Sequence, residues 1–129
     1  MERPSLLLID DEPALAAFVA NAAGLSGYSA QVATHYVQFR EEFLENRPNM
    51  VALDLGMPGM DGVELLRFLG EENYRGPVLI ISGFDRRVLE SAVRLGQALG
   101  LNMAGPLEKP VRLEELETLL KQLRPTLVS

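Results

Sequence analysis

The sequence predicts an α/β domain: a doubly wound, five-stranded parallel sheet in the order 2-1-3-4-5, with helices on both faces. Three observations predict it. Short, nearly continuous apolar runs recur along the chain, among them Leu6–Ile9, Val51–Leu53 and Val78–Ile81. Such runs belong to strands that are buried on both faces. Each is followed by apolar residues at helical spacing, so strand and helix alternate. The runs also stop abruptly, at Asp10-Asp11-Glu12-Pro13 and at Asp54 with its Gly- and Pro-rich turn. Alternation of this kind requires right-handed crossovers, and 2-1-3-4-5 is the common solution for five units.

Ser5–Ile9 is the first strand, and Pro13 suits the first turn of the helix after it, where a missing N–H costs nothing. Leu15, Phe18, Val19 and Ala22 give that helix its apolar face, and Gly24 and Gly27 end it. Tyr28–Ala33 is a short second strand. Tyr36, Phe39 and Phe43 line one side of the second helix, which stops at Asn46-Arg47-Pro48. The third strand, Val51–Leu53, delivers Asp54, and a helix using Val63, Leu66 and Leu69 runs to Gly70. Val78–Ile81 ends at Ser82-Gly83, and Arg86–Gly100 is the fourth helix, with Leu89, Ala92, Val93 and Leu99 inward. Leu101–Leu107 is the fifth strand. Pro106 has no N–H to give a ladder, so this strand is expected to be edge-like or distorted. Lys109-Pro110 follows, and Leu113, Leu116, Leu120 and Leu123 mark a last helix expected to end at Arg124-Pro125. The expected division is one domain over 1–124, with 125–129 a tail or the start of a linker to an absent output domain.

With 129 residues and 47% hydrophobic composition, the chain can bury a full core. It has no Cys, which excludes disulfides and thiolate metal sites. A net charge of −6 argues against direct nucleic-acid binding, which needs clustered Lys and Arg. No apolar run approaches the ~20 residues of a membrane span, and the N-terminus lacks the features of a secretion signal. The expectation is a cytoplasmic protein with no membrane contact.

In the 2-1-3-4-5 order the carboxyl ends of strands 1, 3, 4 and 5 lie close together, and ligands of open α/β sheets bind there. Those ends carry Asp10, Asp11, Asp54, Ser82 and Lys109. Crowded carboxylates repel one another, and a hard divalent cation such as Mg²⁺ relieves the repulsion. Lys109 and Ser82 add a point charge and a hydroxyl suited to phosphoryl oxygens. Asp54 is then a candidate nucleophile forming an acyl phosphate. Taken singly, the same residues have plainer readings. Asp10 and Asp11 could serve a helix N-terminus, Ser82 a turn, and Lys109 the surface.

These pieces in this order (Asp10-Asp11, the DLGMPGMDG run from Asp54, Ser82-Gly83, Lys109-Pro110) resemble response-regulator receiver domains of bacterial two-component signalling, which are flavodoxin-like, over essentially the whole chain. The resemblance implies that Asp54 accepts a phosphoryl group from a sensor histidine kinase or phosphotransfer protein. It implies that Asp11, Asp54 and the carbonyl of Gly56 bind Mg²⁺ directly, with Asp10 acting through water, and that Ser82 and Lys109 contact the phosphoryl oxygens. It also implies a cis Lys109–Pro110 bond. A receiver is a switch for protein contacts, not a turnover enzyme; only self-phosphorylation and slow self-dephosphorylation are expected. Related receivers dimerise through helix four, strand five and helix five, where Glu114, Glu115 and Glu117 otherwise read as a solvated face. More faintly, the run from Gly100 to Pro110 resembles receivers joined to cyclic-dinucleotide phosphodiesterase domains.

The chain departs from the family at three positions. Receivers usually carry an aromatic residue three positions before the lysine, and here that residue is Pro106, which has no ring to swing. The expected route for the signal is therefore the loop after Ser82 and helix four. Gly56 and Phe84 occupy the positions that govern phosphoryl lifetime. Neither can orient an attacking water by hydrogen bonding, so self-dephosphorylation is expected to be slow. The competing readings are a pseudo-receiver serving only as an interaction domain and a haloacid-dehalogenase-like phosphatase. The second wants an acid two residues after the nucleophile, where Gly56 stands; the intact acid set argues against the first. His35, the only histidine, is expected to be a solvated loop residue and not a phosphocarrier.

Overall fold

The computed structural model describes residues 3–55, 62–83 and 86–127. Strands and helices alternate as expected: β1 Ser5–Ile9, α1 Pro13–Leu25, β2 Ser29–Ala33, α2 Tyr36–Glu45, β3 Met50–Asp54, α3 Gly62–Glu71, β4 Pro77–Ser82, α4 Arg86–Ala98, β5 Asn102–Glu108 and α5 Leu113–Leu127. The sheet order is β2-β1-β3-β4-β5, and every pair is parallel.

Successive residues of a strand point to opposite faces, so each continuous apolar run fills two cores. Leu7, Ile9, Val51, Leu53, Val78 and Ile80 pack with Phe39, Phe43, Leu65, Leu69 and Leu89 under α2, α3 and α4. Leu6, Leu8, Met50, Ala52, Leu79 and Ile81 pack with Val19, Ala22, Leu116 and Leu120 under α1 and α5. The α1 face is turned slightly from the expected one. Ala16, Val19, Ala22 and Ala23 are fully buried, while Leu15 and Phe18 lie at the margin of that core.

As expected, β5 is a distorted edge strand. Ala104 pairs with Leu79 and Leu107 with Ile81, so Gly105 and Pro106 together face one residue of β4. Gly105 holds φ at +91°, which favours glycine, and a Cβ there would meet Leu79 Cδ1 at 2.6 Å. The Gly105–Pro106 and Lys109–Pro110 bonds are both cis, the second as the resemblance implied.

One expectation needs correction. Pro125 does not end the last helix: α5 continues to Leu127. Near a C-terminus the proline forfeits only one intrahelical bond. The last turn also has support, since the Thr126 hydroxyl donates to Leu123 O at 2.6 Å and Leu127 packs on the core. His35 is an exposed loop residue, as expected, and it also caps α2, its Nδ1 accepting the Gln38 N–H at 3.2 Å. An imidazole nitrogen does there what an Asn or Asp oxygen usually does.

Candidate functional site

Strand ends and turns bring the candidate residues together. Asp10 follows β1, and its N–H donates to Ala33 O at 3.0 Å, which fixes the chain as it leaves the sheet. Its Oδ1 accepts the Glu12 N–H at 2.9 Å, the local turn that Asp favours. Its Oδ2 is buried with no hydrogen-bond partner. Asp11 is exposed beside it. Asp54, the last residue of β3, is 3% exposed. One carboxylate oxygen from each of Asp10, Asp11 and Asp54 lies within 4.8 Å of the others.

Lys109, just past β5, brings the positive charge. Its Nζ lies 3.1 Å from Asp54 Oδ2, and its own N–H donates to Ser82 O at 3.0 Å. That backbone bond joins the ends of β4 and β5, so Ser82, fully buried, sits beside Lys109. Gly56 and Phe84 fall outside the described residues, so the readings that rest on them lie there too. The structure thus brings Asp10, Asp11 and Asp54 into one cluster, with Lys109 on Asp54 and Ser82 behind Lys109.

The electrostatics follow from crowding. Burial pushes Asp10 from 3.8 up to about 6; the Glu12 N–H opposes the shift, and the nearby Asp54 charge adds to it. The same burial leaves Oδ2 of Asp10 without a hydrogen-bond partner. Among the described residues, Lys109 is the cation that pairs with this cluster, in which Asp10 and Asp54 are buried and Asp11 is exposed. Hard oxygen donors gathered around an unsatisfied buried oxygen fit a divalent ion of the Mg²⁺ kind.

Glu12 is the residue that sequence reasoning passed over. Its backbone N–H orients Asp10, and its carboxylate lies 3.9 Å from Lys109 Nζ. Its place in the Asp-Asp-Glu-Pro run was the available signal.

A family model for the response regulator receiver domain matches residues 6–121. The chain belongs to this family. Receiver domains are signalling modules of two-component systems, not turnover enzymes. The domain is 32% identical over 124 residues to the nitrogen assimilation regulatory protein NtrX of Azorhizobium caulinodans, across 95% of this chain and 26% of that protein. It is also 32% identical over 122 residues to the sensor protein EvgS of Escherichia coli K12, across 95% of this chain and 10% of that one. This chain therefore spans about a quarter and a tenth of those two relatives. A response regulator of known structure from Colwellia psychrerythraea superposes with a TM-score of 0.81 at 28% identity, covering 97% of this receiver and 99% of that chain. No helix among the described residues is long and apolar enough to cross a membrane.

Proposed function

We propose that this receiver takes a phosphoryl group onto Asp54 from the phosphohistidine of a sensor histidine kinase or phosphotransfer protein, and that the modification switches its protein contacts. One observation carries the reading: a buried carboxylate at the end of β3 sits against the Lys109 ammonium at 3.1 Å and among two further acids. An Asp54 oxygen attacks phosphorus as the phosphorus–nitrogen bond breaks, and the histidine ring leaves with the bonding pair. Lys109, close enough to reach the new phosphoryl oxygens, neutralises their charge, and the Ser82 hydroxyl donates to one of them. Asp11, Asp54 and the Gly56 carbonyl would hold Mg²⁺ directly, and Asp10 through water. When bound, that ion neutralises carboxylate and phosphoryl oxygens together.

With Gly56 and Phe84 at the lifetime positions, hydrolysis of the acyl phosphate is slow; a lifetime of seconds would contradict this. Without a ring at position 106, the signal leaves through α4. Supporting this, Arg86 in the first turn of α4 pairs with Glu108 of β5 at 3.2 Å, one residue from Lys109. The α4–β5–α5 face suits dimers or an output domain elsewhere in a longer protein, since Arg86 of α4 and Glu115 of α5 line one open cleft there together with Lys109 and Arg112. Localisation would be cytoplasmic, where kinases of this type phosphorylate their partners.

The deciding experiment is the intact mass after incubation with acetyl phosphate and Mg²⁺, beside Asp54→Asn. A single phosphoryl adduct absent from the variant is expected. No adduct on the unaltered chain would overturn the proposal and favour the pseudo-receiver reading.

A further inference from the structure

We propose that Glu12 sets the class of phosphoryl donor: its carboxylate repels the second negative charge of small acyl phosphates, so the site favours donors that carry phosphorus on nitrogen. The inference rests on the reading of Asp54 as the phosphoryl acceptor.

The placement of Glu12 begins in the sequence. It precedes Pro13, and a residue before proline is confined to extended backbone. Glu12 accordingly has φ −97° and ψ 105°, and its side chain does not cap α1. Its carboxylate instead lies 3.9 Å from Lys109 Nζ. The same ammonium lies 3.1 Å from Asp54 Oδ2, so one cation serves two acids.

Exposure orders these three groups from floor to rim. The Asp54 side chain is 4% exposed, that of Lys109 25% and that of Glu12 60%. Glu12 is the outermost, and a donor approaching Asp54 along Lys109 meets its charge first. Glu12 also stands outside the cluster of Asp10, Asp11 and Asp54 that fits a divalent ion. Among the described residues, Lys109 is the cation that Glu12 pairs with. Once Lys109 turns to a phosphoryl oxygen, the charge of Glu12 is left unmatched beside the donor.

The two donor classes differ in the charge they bring. An acyl phosphate is a dianion near neutrality. When Asp54 attacks it, the phosphorus–oxygen bond breaks and the carboxylate leaves with the bonding pair. A phosphoryl group on a protonated nitrogen carries one net negative charge. Its phosphorus–nitrogen bond breaks, and the amine leaves with the bonding pair and its protons. Repulsion by a fixed charge scales with the charge of the donor, so Glu12 penalises the acyl phosphate more. An exposed carboxylate acts largely through solvent, so salt screens the penalty.

The test follows the rate of adduct formation by intact mass at saturating Mg²⁺, with acetyl phosphate and with phosphoramidate. At low salt, Glu12→Gln is expected to raise the rate about fivefold with acetyl phosphate and about twofold with phosphoramidate. Glu12→Lys goes further in the same direction, and Glu12→Asp, which keeps the charge, stays near the unaltered chain. At about 1 M salt, where the screening length is about 3 Å, the gain with acetyl phosphate falls below about twofold. Gln keeps the size of the side chain and the backbone N–H that orients Asp10, so a purely structural role predicts neither the donor dependence nor the salt dependence. Adduct on the unaltered chain with an equal gain for both donors, no gain, or a gain that salt leaves intact overturns the role of Glu12 alone. No adduct from either donor on the unaltered chain overturns the reading of Asp54, and this inference with it.

Discussion

β3 and β5 each deliver one member of the central ion pair, Asp54 and Lys109, yet they are built in opposite ways. All five residues of β3 are buried, and it pairs in unbroken register with β1 and β4. β5 has one neighbour, none of its seven residues is fully buried, and its register shifts at Gly105 and Pro106. The acid is therefore held by the core, while the cation rides on a strand that can adjust without disturbing that core. If Asp54 takes the proposed phosphoryl group, the difference suits a fixed negative charge and a positive group free to follow an incoming oxygen.

The contrast can be broken most strongly at its rigid side. Leu53→Ala removes a fully buried side chain from β3 and is expected to cost about 3 kcal/mol in urea unfolding. Lys109→Gln leaves the acid cluster without its cation and is expected to lower stability by about 1–2 kcal/mol, with Mg²⁺ recovering part of the loss. Leu107→Ala, at a half-buried position of β5, should cost about 1 kcal/mol; a loss equal to that of Leu53→Ala would show the two strands to be equally rigid.

The raised Asp10 adds a pH dependence of definite sign. The folded chain holds this proton up to about 6, the unfolded chain only to 3.8, so the contribution is complete below 3.8 and is lost as pH rises through 6. Thermal melts without divalent ions should show stability falling across that window, with a shallower slope in Asp10→Asn. Arg86→Ala is expected to be the mildest change, below about 0.5 kcal/mol, because its pair with Glu108 is mostly exposed. Its effect should appear in how far α4 responds to a phosphoryl analogue, read by NMR shifts of that helix.

The fold was legible because strands buried on both faces must be apolar without interruption, and because Leu53 to Asp54 is a switch from apolar side chain to carboxylate within one residue. The acid cluster was legible once the strand order placed three carboxyl ends side by side. Pro106 signalled a distorted edge strand but not how β5 repairs its pairing, since a bulge depends on the partner strand. The end of α5 was misread because Pro125 speaks for its own missing N–H, while Leu127 and the Thr126 hydroxyl speak for tertiary support that no local rule contains. The cap by His35 was hidden for a similar reason: imidazole is a rare occupant of that position. Glu12 acts partly through its backbone, which carries no residue-specific mark.

Only Leu89 and Gly96 of the thirteen residues of α4 are fully buried. A Cβ on Gly96 would strike Met103 Sδ, so the helix lies close against β5 at that point. Amide protons of β3 should exchange with deuterium only when the whole domain unfolds, whereas those of α4 should exchange through local opening at much lower free energy. The resting chain then already contains a minority with α4 partly detached. If Asp54 takes the proposed phosphoryl group, that modification need not create a new shape; it need only enlarge a population that the thin anchoring of this helix keeps available.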